Sequence, residues 1–144
     1  NDSGEQALIP LDPIQALLEN PICHSVFLSS AIIDRAFVLD LGGFSTAWRF
    51  GADSEFIRRA VFGGIVKNIS DRLYFRRIHP ASLTHHHLTG FGSPERIRIQ
   101  KIVQKSGLEI VTAVKSGRNP DLAPVAVGQT AELLYVCGPR PNWI

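Results

Sequence analysis

Phe37-Val38-Leu39-Asp40-Leu41-Gly42-Gly43-Phe44-Ser45-Thr46 is an apolar run that ends in a carboxylate, a glycine pair and two hydroxyls. From Ala36 to Leu41 the run reads as a strand buried on both faces. The glycine pair predicts a tight turn whose backbone N–H groups can approach an anion. A second stretch, His87-Leu88-Thr89-Gly90-Phe91-Gly92-Ser93-Pro94, repeats the pattern of strand then glycine turn, now ahead of a helix start. A helix N-terminus adds its dipole to such a turn. Together the two turns predict a split site for phosphate and nucleoside.

Working outward, Asp12-Pro13 supplies an N-cap and a proline at the first helical position, and Asn20-Pro21 stops the helix near Glu19. A strand is predicted around Ser25–Leu28. After Ala36–Leu41, strands are predicted at Thr46–Phe50 and Glu55–Phe62, joined closely enough for an antiparallel meander. Gly63-Gly64 then leads to a helix from Ile65 to about Arg77, because Ile65, Ile69 and Leu73 recur every four residues. His79-Pro80 ends it, and Leu88–Thr89 centres a fourth strand. Ser93-Pro94 caps a helix over Pro94–Lys105, with Ser106-Gly107 as its stop. Leu108–Val114 is predicted as a fifth strand, Lys115–Asp121 as a loop, and Leu122 to Val136 as a last helix. The expected fold is α/β, a mixed five-stranded sheet covered by helices. From Ala36 its order is strand, strand, strand, helix, strand, helix, strand, helix. Residues 1–35 form an N-terminal extension with a short helix, and residues 36–144 form the lobe. Its core should include Val38, Leu39, Ile57, Ile69, Leu88, Ile102, Ile110 and Val127.

Composition narrows the function. The chain has 144 residues, 44% hydrophobic and 19% charged, which suits one globular domain. A net charge of +2 with interspersed signs gives no basic stripe for nucleic acid. Arg72, Arg76 and Arg77 read as a solvated helix face. No apolar run reaches the roughly 20 residues of a membrane span. The chain starts at Asn1 without a basic-then-apolar leader, so an excised domain or processed fragment in the cytoplasm is the expectation. Cys23 and Cys137 match no zinc or redox spacing and read as buried free thiols.

The element order and glycine turns resemble one ribonuclease H-like lobe of the actin, sugar-kinase and heat-shock-chaperone ATPase superfamily. Asp40 to Thr46 is similar to that family's second phosphate motif, and His87 to Ser93 to its adenosine motif. Asp121 to Gln129 is similar to its small-residue final helix, and Gly63-Gly64 to the glycine pair before the lobe's first helix. The resemblance implies ATP and magnesium as cofactors, with Asp40 acting on the metal through water. It gives Gly42, Gly43, Ser45 and Thr46 to the phosphates, and Thr89, Gly90 and Gly92 to the nucleoside. Three residues depart from the pattern: Phe44 and Phe91 stand where small residues are usual, and Ala47 where an acid is common. The second lobe is also missing, and phosphoryl transfer needs clamping from several sides. Catalysis is therefore expected only with a second lobe, and the isolated chain is expected to be inactive.

Two functions follow as expectations. One is the nucleotide-binding lobe of an actin-like ATPase, a fragment or reduced form of a two-lobe protein whose partner is that second lobe. The alternative is a non-catalytic protein-binding or assembly module that keeps the fold without nucleotide. In that case Phe44 and Phe91 should fill the cleft, with Asp40 bonded only to local N–H groups. His79, His85, His86 and His87 invite a metal reading, but consecutive strand residues point to opposite faces, and solvated loop histidines fit better. Ser29, Ser30 and Ser45 have no nucleophile elbow or triad partner. Trp48 and Phe50 read as core.

Overall fold

A computed structural model describes residues 9–48, 50–71, 73–74 and 82–128. Its elements are α1 (Pro13–Glu19), a single 3₁₀ turn at Leu28–Ser30, α2 (Arg35–Asp40), α3 (Ala52–Gly63) and α4 (Pro94–Lys115). None of the described residues lies in a β-strand. The α/β expectation is therefore wrong, and the resemblance to a ribonuclease H-like, actin-type ATPase lobe falls with it, because that lobe is built on a sheet. α3 packs against α4, and α1 rests on both.

Two helix starts agree with their sequence signals. The Asp12 carboxylate accepts from Gln15 N–H at 3.0 Å ahead of Pro13. Ser93 Oγ accepts from Arg96 N–H ahead of Pro94. The other assignments fail for separate reasons. Ser25–Leu28 is not a strand and runs into the 3₁₀ turn. In place of the strand Ala36–Leu41, residues Arg35–Asp40 are helical because Asp34 caps them, accepting from Phe37 N–H at 3.0 Å. A short apolar run cannot by itself separate strand from helix. Thr46–Phe50 is irregular where described, and Leu88–Thr89 sits in a chain of turns. Glu55–Phe62 is the body of α3. Its buried residues Phe56, Ala60 and Val61 follow helical spacing, and Glu55 pairs with Arg59 one turn later.

Gly64 is extended, and the described residues from there to Tyr74 are not helical, with a bend at Ser70 and Asp71. Ile65 is 94% exposed, Ile69 65% and Leu73 76%. Asn68 points inward, its Nδ2 donating to Pro10 O and Ser25 O, both at 2.6 Å. α4 runs through Ser106-Gly107 and absorbs the predicted strand Leu108–Val114. Gly107 is no helix stop. A Cβ there would lie 2.6 Å from Arg58 Cδ, so the bare Cα makes room for that side chain. The helix ends instead at Gly117 (φ +68°), where Gly117 N–H donates to Val114 O and Arg118 N–H to Ala113 O. Residues 122–128, predicted to begin a helix, are not helical and alternate between half-buried and exposed. The remainder of that predicted helix, Arg72, Arg76, Arg77, His79 and Cys137 lie outside the described residues.

The apolar core is Leu17 from α1, Phe56, Ala60 and Val61 from α3, and Ile99, Val103, Ile110, Val111 and Ala113 from α4. Of the predicted core only Ile110 is fully buried; Leu39, Ile69, Leu88 and Val127 are exposed. Cys23 is half-buried rather than buried. The largest fully buried side chain among the described residues is Arg59.

Candidate functional site

Arg59 lies on the buried face of α3, one turn after Glu55, with both side chains at most 2% exposed. Its Nε donates to Glu55 Oε1 at 2.6 Å and its Nη2 to Glu55 Oε2 at 2.9 Å. Nη2 also donates to Gly43 O at 2.6 Å. Nη1 donates to Leu41 O at 2.8 Å and Leu122 O at 3.1 Å. A guanidinium has five N–H donors, and all are used here. Glu55 Oε1 accepts once more, from Val125 N–H at 3.4 Å. One ion pair thus ties together the turn after α2, α3 itself and the segment after α4.

That last segment, Asp121–Gly128, crosses the molecule as a strap. Ala126 O accepts from Thr46 N–H at 2.9 Å and Ala47 N–H at 3.3 Å, and Ala126 N–H donates to Ser45 Oγ at 3.3 Å. Thr46 Oγ1 accepts from Gly128 N–H at 3.0 Å and donates to Gly128 O at 3.2 Å. Pro124 lies over Gly42, whose added Cβ would come within 2.9 Å of Pro124 Cδ. Gly128 lies against Ala47, whose Cα would be 2.9 Å from a Cβ at 128. The strap's alternate side chains, Ala123, Val125 and Val127, are exposed. Between strap and α4 is a cleft of about 390 Å³ lined by residues including Ile102, Lys105, Glu109, Ile110 and Val125.

The predicted phosphate residues are thus gathered in one place but turned to internal use. Gly42 N–H donates to Leu39 O and Gly43 N–H to Val38 O, both at 2.9 Å. With φ of +78° and +73°, the pair forms the left-handed C-terminal cap of α2. Ser45 is buried, and both its hydroxyl and that of Thr46 hold the strap. Asp40 ends α2 and is exposed, and its carboxylate makes no hydrogen bond among the described residues.

The predicted nucleoside residues lie in the turns leading to α4. Thr89 Oγ1 donates to Leu83 O, and Thr89 O accepts from Arg96 Nε at 2.6 Å. Gly90 is buried, and its N–H donates to His86 O. Gly92 is exposed at φ +90°. No hydrogen bond joins this region to the 40–46 turn among the described residues. Phe91, 72% exposed, and Phe50 flank the Arg96 guanidinium, which lies 5.2 Å and 4.4 Å from their ring centroids. Phe44 packs on Phe56 at 4.4 Å between centroids. The two rings therefore do not share a cleft. Among the described residues no group of three or more His, Cys, Asp or Glu is placed to hold a metal ion. His85 Nδ1 is bonded with Ser82 and Thr84, and His86 Nδ1 accepts from Leu88 N–H.

The Glu55–Arg59 pair is what the strand reading hid. Its signal is the four-residue spacing of opposite charges inside an apolar stretch. Arg58, beside it, is 7% exposed and donates to Ser54 O and Ile22 O; burial pulls its guanidinium below the ordinary arginine range. Comparison with protein-family models, curated proteins and solved structures found no match. No helix among the described residues is long and apolar enough to cross a membrane.

Proposed function

We propose that this chain is a cytoplasmic, non-catalytic protein-binding module that works in an assembly. The observation that carries the reading is the non-helical segment after α3. Ile65, Ile69 and Leu73 face solvent there, while Asn68 anchors the opposite side. Backbone groups of residues 65–71 enter no backbone–backbone hydrogen bond among the described residues. A segment with unpaired backbone groups, whose outer face shows Ile65, Ile69 and Leu73 interspersed with Lys67 and Asp71, is what a partner strand covers, main-chain bonds giving affinity and alternate side chains giving selectivity. The internal use of the Gly42 and Gly43 N–H groups and of the Ser45 and Thr46 hydroxyls supports a binding module over a nucleotide lobe.

The test uses the full chain, carrying a photoreactive side chain at position 65 or, as a control, at the exposed Lys101 of α4. Irradiation in cells should give a discrete adduct from position 65 and none from 101. Calorimetry with ATP and magnesium should show no heat. Absence of an adduct at 65, or ATP heat abolished by Asp40→Ala, contradicts the reading.

A further inference from the structure

The strap is held in an unusual way for a segment of a folded chain. Its side chains Ala123, Val125 and Val127 are exposed, with Ala123 and Val125 on the wall of the cleft toward α4. Main-chain groups carry its polar attachment: Leu122 O on Arg59, Val125 N–H on Glu55, and Ala126 and Gly128 on Ser45, Thr46 and Ala47. Pro124 over Gly42 and Leu122 beside Gly63 add apolar contacts. On its other side the cleft of about 390 Å³ separates it from part of α4. This is the manner in which a cradle holds an extended peptide, through main-chain groups.

Every one of those contacts is indifferent to whether strap and cradle belong to one chain. The link between α4 and the strap is short. Ser116 to Asn119 are exposed and Pro120 is half-buried, and the turn depends on Gly117 at φ +68°. If that turn opens, α4 points the strap outward, and the cradle loses the bonds to Leu122, Val125, Ala126 and Gly128 that a second strap would restore. We infer that the cradle formed by Gly43, Ser45, Thr46, Glu55 and Arg59 accepts the strap of a second copy, giving a reciprocal strap-exchanged dimer. The occupant is specified by the cradle itself. It must have proline over Gly42, a donating N–H at Glu55 and a glycine against Ala47, and the chain's own residues 122–128 meet all three. Exchange keeps every strap contact and costs the hinge rearrangement and the entropy of association, which makes it a low-cost route to a dimer. The inference rests on the assembly reading and gives that assembly a partner.

The experiment shortens the hinge in the full chain by deleting residues 117–119, so that the strap cannot turn back onto its own cradle. A second variant, Gly117→Ala, keeps the length and penalises only the left-handed turn. Native mass spectrometry reads the assembly state, and hydrogen exchange reads the amides of Val125 and Ala126. The expected result is a doubling from the chain mass of 15.8 kDa (less three residues in the deletion), with both amides still protected. In G117A the dimer fraction should rise at least several-fold over wild type at equal concentration. A monomer with unprotected strap amides overturns the inference. So does a dimer with unprotected amides, which would leave the assembly reading standing on another face. If the deletion fails to fold, a G117A monomer with a protected strap overturns it. Loss of the position-65 adduct, by contrast, bears on the function reading alone.

Discussion

Replacing Arg59 by methionine keeps the volume and removes the charge. Two effects compete to set the cost. The first is Glu55, left as a carboxylate at 2% exposure without its cation. Removing one partner of a buried pair typically costs about 3–5 kcal/mol, because the surviving charge is stranded. The second is the loss of donors to Leu41 O, Gly43 O and Leu122 O. These residues are half-buried, so water can replace much of what is lost, and the stranded charge dominates. Small domains total roughly 5–15 kcal/mol, so R59M should remove a large fraction of stability. With a urea slope of about 2 kcal/mol per molar, the unfolding midpoint should fall by about 1.5–2.5 M. Glu55→Gln should cost a comparable amount, since it strands the guanidinium. The double variant strands neither charge and should cost clearly less than the sum, by at least about 1 kcal/mol. A loss below about 1 kcal/mol in R59M, or strict additivity in the double variant, would refute the reasoning.

Further outcomes follow from the same contacts. Gly107→Ala should destabilise despite a helix-propensity gain of about 1 kcal/mol, because the new Cβ meets Arg58 Cδ at 2.6 Å while that arginine is tied to Ser54 O and Ile22 O; a higher melting temperature would show that Arg58 moves freely. Gly42→Ala combines a left-handed φ of +78° with a contact to Pro124; it should cost about 1–2 kcal/mol and raise exchange at the strap amides, read by hydrogen-exchange mass spectrometry. Burial raises the Cys23 thiol above its ordinary value, with Arg58 opposing in part. A raised folded pKa means stability that is full below the unfolded value and lost as pH rises through the folded one, so stability should decline above about pH 9. Iodoacetamide should also modify Cys23 more slowly in the native chain than in urea at pH 8, followed by peptide mass mapping; equal rates would contradict this. Ser93→Ala removes the α4 cap and should cost about 1 kcal/mol by chemical denaturation.

Capping signals were the legible part of the fold. Asp12-Pro13 and Ser93-Pro94 name their helices because a side-chain acceptor followed by proline has few other uses. Hydrophobic spacing misled where it was degenerate. Ile65, Ile69 and Leu73 are four apart, which fits one face of a helix and equally one face of an extended chain with period two. Asn68, bonded to two carbonyls, decides for the second, and those partners are distant in sequence. Glycine misled twice, once as a phosphate turn at Gly42-Gly43 and once as a stop at Gly107. At Gly42-Gly43 it caps a helix that the strand reading had removed, and at Gly107 it answers Arg58, a tertiary neighbour that no local window contains. The Glu55–Arg59 pair was visible as a four-residue spacing. Its reach to Leu41, Gly43, Leu122 and Val125 was not, because main-chain acceptors and donors carry no sequence signature.

The order of residues in the strap also fixes its register. Pro124 has no N–H, so sliding the strap by one residue to bring it opposite Glu55 would forfeit the bond that Val125 now makes. The same slip would carry Val127 to the place of Gly128, where a Cβ would lie 2.9 Å from Ala47 Cα. Two residues four positions apart, one lacking a donor and one lacking a side chain, therefore act as a pair of keys. They make the correct alignment the one in which both absences fall where they are needed.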